Sequence, residues 1–446
     1  MNTRCFRLIF SKPLGFLIPV AEITRAQRKP GQQQTASPPA LPRINPAFKP
    51  LVLSVFLAGL PGWAVAEIVL DPTQRAGTNV ISAANGVPVI EIANPTGNGI
   101  SHNRFTEFDV QNPGVIFNNS LVNGTSQLGG AVLRNPNLSR AARAILTEVT
   151  GNKPSSISGT LEVFGTKADL LFANPNGLTL NGVTTLNTSS LTVSTGRVRD
   201  AASGLQFVVD GQSGQVMIGA DGVNTEGLSY FDIVARSVAL QGAVGSQTRQ
   251  TDLQIAAGQG TYDPSTRAFT AKAEAEGSGL AISGSAAGAM HGRFINLISS
   301  DSGAGVRHQG LIVAARDIQI SADGEIALKD TGAGGQVQIA STATVTNTGT
   351  LDATTGLTIK ARDVVNEQGA SMGSGADLSI DAANSLTNAK DATLLAERAM
   401  QLKAGSRLNN AGGLQAGQTL AINTQSLSNN AGLVRGKTLT VTAKQV

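Results

Sequence analysis

Four carboxylates, Asp301, Asp317, Asp323 and Glu325, crowd into one stretch of the 446-residue chain. Acids that close could supply the general acid and base of glycan cleavage. Their neighbours are Gly, Ser, Ala and Asp in turn-like runs, however, and the four read as solvated corners. His102, His291 and His308 are dispersed, without the spacing of metal ligands. His102 reads as a buried, hydrogen-bonded structural residue. No Ser-His-Asp arrangement, Cys-His pair or Gly-rich phosphate loop is present. The chain is therefore expected to be no enzyme, and to need no metal and no cofactor.

The first chemistry the sequence does specify is proteolytic. Residues 51–66 read LVLSVFLAGLPGWAVA, an apolar run ending in Ala64-Val65-Ala66. Small residues at Ala64 and Ala66 suit signal peptidase, with cleavage before Glu67. The run holds Pro61 and Gly62 and falls short of the roughly 20 residues a spanning helix needs. Residues 1–66 thus form an extended signal peptide, with eight basic residues against one acid, leaving 26 basic against 29 acidic in the remainder. The basic excess belongs to the leader. The mature chain, at −3, offers no positive field for nucleic acid. The only Cys (Cys5) and Trp (Trp63) lie in the leader too, so the mature part has no disulfide.

The remainder is rich in Gly, Ala, Ser, Thr, Asn and aliphatic residues. Short runs alternate at period two, as in Gly159–Phe164, Gly177–Gly182, Ser190–Ser194 and Arg316–Ser321. Such alternation makes half-buried strands, and Gly, Asn and Asp punctuate them as turns require. Ser139–Val149 alone is rich in helix formers and stays open between a short helix and a strand. In the C-terminal third, Leu357, Leu378, Met400, Leu420 and Leu439 each start an apolar-alternating run, at steps of 21, 22, 20 and 19. Asn-containing turns recur between them. A period near 20 signals a solenoid. The fold class is all-β, a right-handed parallel β-helix running from roughly residue 75 onward. Leu357, Ile359, Leu378, Ile380, Leu420, Ile422, Leu439 and Val441 should face inward, and corner Asn side chains can form ladders. No polar end cap is visible, so the chain is expected to be the N-terminal piece of a longer fibrous protein, the alternative being a truncated gene.

Several segments carry a family resemblance: GISHNRFTEFDV (99–110), NPGVIFNNS (112–120), RNPNLSRAARAILTEV (134–149), GTLEVFGTKADLLFANPNGLTLNG (159–182), GLSYFDIVAR (227–236) and GRFINLISSDSGAGVR (292–307). They resemble the secretion domain of filamentous-haemagglutinin-like exoproteins of two-partner secretion, and the leader resembles the extended signal peptide of such proteins. Two hallmark tetrapeptides are intact, Asn135-Pro136-Asn137-Leu138 and Asn174-Pro175-Asn176-Gly177. Physically they are turns: Asn caps, Pro fixes φ, and Asn-Gly tolerates a left-handed residue. Shaping corners and direct recognition by a transporter both remain open for them.

The resemblance implies residues 67–315 as the secretion domain and 316–446 as the start of a repeat shaft. It implies export through the periplasm and outer membrane of a Gram-negative bacterium, by a cognate β-barrel transporter whose periplasmic domains recognise the chain. The expected function is a secreted adhesin that meets host-cell surface glycans or receptors. The alternative is the delivery domain of a contact-dependent growth-inhibition toxin or cytolysin.

N-terminal sequencing of secreted protein should begin at Glu67 or within a residue or two. Mature protein still carrying residues 20–50 would contradict the processing.

Overall fold

The computed structural model describes residues 6–11, 16–21 and 67–446, except 75, 76, 202 and 203. Ala64 and Ala66 lie outside the described residues, and Glu67 is the first residue of the long described stretch and is exposed. In the leader, Phe6–Ser11 and Phe16–Ala21 pair antiparallel.

From Ile100 onward the chain winds as a parallel β-solenoid of about 13 turns. Each coil contributes a strand to three faces, which meet at three corners. The first face is traced by one register column: Ile145, Leu170, Leu191, Phe231, Leu253, Ile295, Ile318, Val337, Leu357, Leu378, Met400, Leu420 and Leu439. The second face runs through strands such as Gly114–Asn119, Thr350–Ala353 and Thr393–Ala396. The third runs through Gln215–Ile218, Ser237–Leu240 and Thr344–Asn347. Because side chains alternate along a strand, matched register piles like residues into one continuous core. Phe105, Phe108, Phe117 and Phe172 fill its N-terminal end, with ring centroids 4.9–6.4 Å apart.

Three features depart from a uniform solenoid. The N-terminal end is capped by antiparallel pairings, Ile68–Leu70 on Ile100–Phe108 and Asn79–Ser82 on Pro88–Glu91. The cap covers an edge that would otherwise be bare. Secondly, the column steps 40 residues from Leu191 to Phe231 and 42 from Leu253 to Ile295. The extra residues form an antiparallel sheet of Arg197–Ala201, Gly204–Val209, Gly260–Asp263 and Ala268–Ala271. This sheet packs Leu205, Phe207, Val209 and Tyr262 onto the outer side of the first face, against Leu146, Leu171, Val234 and Ala256. Thirdly, a small hairpin of Gly124–Ser126 and Gly130–Val132 contributes Val132 to a core with Val89, Ile116 and Phe164.

Leu357, Ile359, Leu378, Ile380, Leu420 and Ile422 are buried, whereas Leu439 and Val441 are 50% and 40% exposed. The last two hold their register, and among the described residues no further coil lies against them. Ala144–Val149 is a strand, so tertiary pairing with Ile100–Phe105 and Asp169–Ala173 overrides the helical propensity of that stretch. No helix occurs among the described residues.

The ladder of corner asparagines is present. Asn347, Asn366, Asn388, Asn410 and Asn429 occupy equivalent places where the third face turns into the second. Each of the first four side-chain amides donates to the next residue's Oδ1, at 2.9, 2.9, 2.9 and 2.7 Å. The first four are buried. His308 lies buried lower in the same column, paired with Leu328. Gly284 makes room for it, since a Cβ there would lie 2.2 Å from the imidazole.

Burial holds the His308 imidazole below its usual pKa, although hydrogen bonds to the Gly310 and Gly288 backbone partly oppose this. The unfolded chain then binds more protons than the folded one below about pH 6.5, and stability falls as pH drops through that range, by at most about 1.4 kcal/mol per unit. Unfolding of wild type and His308→Leu across pH 4.5–7.5 should give a difference curve that opens below about 6.5. Parallel curves would contradict the assignment.

Candidate functional site

Both Asn-Pro-Asn motifs are corners, and they are built alike. The Asn135 side chain is 2% exposed. Its Nδ2 donates to the carbonyls of Ile92 (2.9 Å) and Asn118 (2.8 Å), while its Oδ1 accepts from the Asn137 amide at 2.9 Å. Asn174 is fully buried. Its Nδ2 donates to the Lys153 carbonyl and to Ser155 Oγ, each at 3.0 Å, and its Oδ1 accepts from the Asn176 amide at 3.0 Å. In each motif the first Asn thus caps its own turn and ties it to the coil before. Backbone hydrogen bonds close the turns, Leu138 N to Asn135 O at 3.4 Å and Gly177 N to Asn174 O at 3.1 Å.

The remaining motif residues split by exposure. Pro136 and Asn176 are exposed, and Asn137, Leu138 and Pro175 are half-buried. Asn137 Nδ2 reaches the Glu91 carbonyl at 3.2 Å, and Asn176 Nδ2 reaches the Gly151 carbonyl at 2.9 Å. Leu138 packs against the main core. Gly177 sits at φ +123°, a region that side chains rarely adopt, and a Cβ there would lie 3.1 Å from the Gln215 carbonyl.

The two motifs are not brought together. Asn135 stands where the second face turns into the first, beside Asn119, whose amide spans the carbonyls of Ala142 (2.9 Å) and Thr166 (2.8 Å). Asn174 stands where the first face turns into the third. With the ladder at the remaining corner, each edge of the solenoid carries buried asparagine.

The candidate carboxylates do not form a site. Asp301 is not a solvated corner: it is fully buried, ion-paired with Arg236, and accepts the Gln259 amide at 2.7 Å. The sequence missed it because Arg236 lies 65 residues away on an earlier coil. Asp317 and Asp323 bond corner groups of the next coil, the Gln336 amide at 2.7 Å and Thr342 Oγ1 at 2.7 Å, and Glu325 is exposed. His102 is half-exposed, with Nε2 2.7 Å from Glu148 Oε2, because it lies on the outward side of its strand. No cluster of His, Cys, Asp or Glu among the described residues could hold a metal ion.

A β-solenoid capped at its N-terminal end follows a long basic leader. A family model for the TPS (two-partner secretion) secretion domain matches residues 67–328. One for the extended signal peptide of type V secretion systems matches 1–47, and haemagglutinin repeats match 332–390 and 378–445. The chain belongs to the TPS secretion-domain family and is exported through the Gram-negative envelope.

The chain is 45% identical over 342 residues to filamentous hemagglutinin of Bordetella pertussis, covering 74% of this chain and 9% of that protein. It is 33% identical over 402 residues to the tRNA nuclease CdiA of Escherichia coli, covering 85% of this chain and 12% of that protein. It therefore spans about a tenth of the length of these curated relatives. The crystal structure of the filamentous hemagglutinin secretion domain aligns with TM-score 0.59 and 43% identity, over 69% of this chain and 97% of that one.

Removing a buried carboxamide orphans two carbonyls or hydroxyls, at about 1–3 kcal/mol for each unsatisfied group. Asn174→Ala should lower stability by about 2–4 kcal/mol and Asn176→Ala by under about 1 kcal/mol. Denaturant unfolding of the purified variants checks this, and equal losses would contradict it.

Proposed function

We propose that this chain is the export-directing N-terminal part of a non-enzymatic, filamentous-haemagglutinin-like adhesin. The observation that carries the reading is the secretion-domain match over residues 67–328, continued by haemagglutinin repeats on the same solenoid. In this reading, signal peptidase cuts between Ala66 and Glu67. The periplasmic domains of a cognate outer-membrane β-barrel transporter then take the domain of residues 67–315. The shaft from 316 onward follows and meets host-cell surface glycans or receptors. Each coil that forms outside buries apolar surface worth about 25 cal/mol per Å², and that free energy opposes back-sliding without ATP.

The motifs act in this scheme through folding. Asn135 and Asn174 are buried and their hydrogen bonds are spent within the chain, so they offer a partner nothing in the folded state. Misfolded corners would leave the first coils without a template for the rest.

A second reading, delivery of a C-terminal toxin, draws on the 33% identity to the CdiA nuclease. The secretion step is common to both, and the sequence downstream of Val446 separates them.

Secretion with the cognate transporter tests the proposal. Asn135→Val and Asn174→Val should cut secretion about tenfold or more and leave protease-sensitive protein in the periplasm, in line with their loss of stability. Pro136→Ala and Asn176→Ala should be folded and secreted normally. Exposed-residue variants that fold but are not secreted would overturn the folding role in favour of direct recognition. Normal secretion of all four would remove the motifs from export altogether.

A further inference from the structure

A cavity of about 210 Å³ opens at one end of the antiparallel sheet, on the outer side of the first face. Asp169, Arg143, Tyr230, Leu171, Leu205 and Ser265 are among its lining residues. Neither the core nor the export scheme uses it.

The polar groups around it are held in place and only partly used. Ser190 Oγ donates to Asp169 Oδ1 at 2.6 Å, which fixes that carboxylate and leaves Oδ2 as an acceptor. The Arg143 side chain is exposed and makes no ion pair or hydrogen bond among the described residues, so its guanidinium donors are available. Tyr230 is held by a cation–π contact: the Arg267 guanidinium lies 4.4 Å from its ring centroid. Arg267 is itself clamped by two hydrogen bonds, 2.8 and 2.7 Å, to the fully buried Asp232. Tyr262, from the antiparallel sheet, donates its hydroxyl to the same carboxylate. The sheet and the solenoid thus fix the aromatic wall before any ligand arrives, which lowers the ordering cost of binding.

The chemistry selects the ligand class. The lining alternates apolar Leu171 and Leu205 with an anionic acceptor and a cationic donor. A lipid would leave those charges unpaired, and a phosphate would face Asp169. A pyranose ring has hydroxyls around its rim and apolar C–H faces. The volume is below the roughly 300–1,000 Å³ of pockets for drug-sized ligands, which leaves room for one ring. We propose that this pocket binds a single pyranose residue at the end of a glycan. Asp169 and Arg143 take its hydroxyls, and Tyr230 and Leu205 lie against its apolar surface.

Saturation-transfer NMR and titration calorimetry on the mature protein test this with methyl galactoside, methyl glucoside and methyl mannoside. At least one should bind. Arg143→Gln and Asp169→Asn should each weaken it about tenfold, the scale of one hydrogen bond to a charged group, with unfolding midpoints and secretion unchanged. Secretion of the same variants separates failure here from failure of the export reading. The proposal is overturned if none of the three glycosides binds, if both variants keep wild-type affinity, or if glycine or leucine binds where the glycosides do not.

Discussion

At each corner of a β-solenoid the strand ladder breaks, and carbonyls that would bond a neighbouring strand are left inside the molecule. An unsatisfied buried carbonyl costs about 1–3 kcal/mol, and a solenoid repeats that cost at every coil. Asparagine meets it with one side chain, because its amide has two donors and its carbonyl two lone pairs. Asn135 ties Ile92 and Asn118 together while capping its own turn. Asn366 accepts from Asn347, donates to Asn388 and also reaches the Thr393 carbonyl. The faces can stack only because the corners are closed in this way.

With closed corners, a single column of aliphatic and aromatic residues can run from Ile145 to Leu439 without a break in register. The cap fixes where the column starts, and the Phe105–Phe108–Phe117–Phe172 cluster sets its packing in the first coils. The two long excursions leave the column undisturbed, since each departs from a corner and returns to the next register position. Their sheet adds a second apolar layer in which the half-buried Arg267 and buried Tyr262 both bond the buried Asp232. Burial pushes the Tyr230 phenol up, so it stays protonated beside that network. Each coil after the cap is thus bonded to the one before it through matched register.

The C-terminal coils were legible in the sequence because their repeat is short and local. Leu357, Leu378 and Met400 announce their column by spacing alone, and the corner asparagines recur beside them. The antiparallel sheet was not legible. Its halves, 197–209 and 260–271, also alternate at period two, and only their mutual pairing, as of Phe207 with Tyr262, sets them apart from further coils. Asp301 misled for a similar reason: its turn-like neighbours suggested solvent, and its Arg236 partner lies two coils back. The motifs were visible as turns, but burial of their first asparagines was not, because it depends on carbonyls contributed by distant segments such as Ile92.

Hydrogen exchange on the mature protein carrying Asn388→Val tests most directly the claim that corner carboxamides hold successive coils together. A valine side chain at this corner could neither accept from Asn366 nor donate to Asn410 and the Gly413 carbonyl, as Asn388 does. Protection should fall at the corners of the flanking coils, 366–371 and 410–413, as well as at 388–393, while the N-terminal coils up to about residue 300 keep theirs. Loss confined to residues 388–393, or no loss at all, would show that the strands alone hold the stack and would contradict the account.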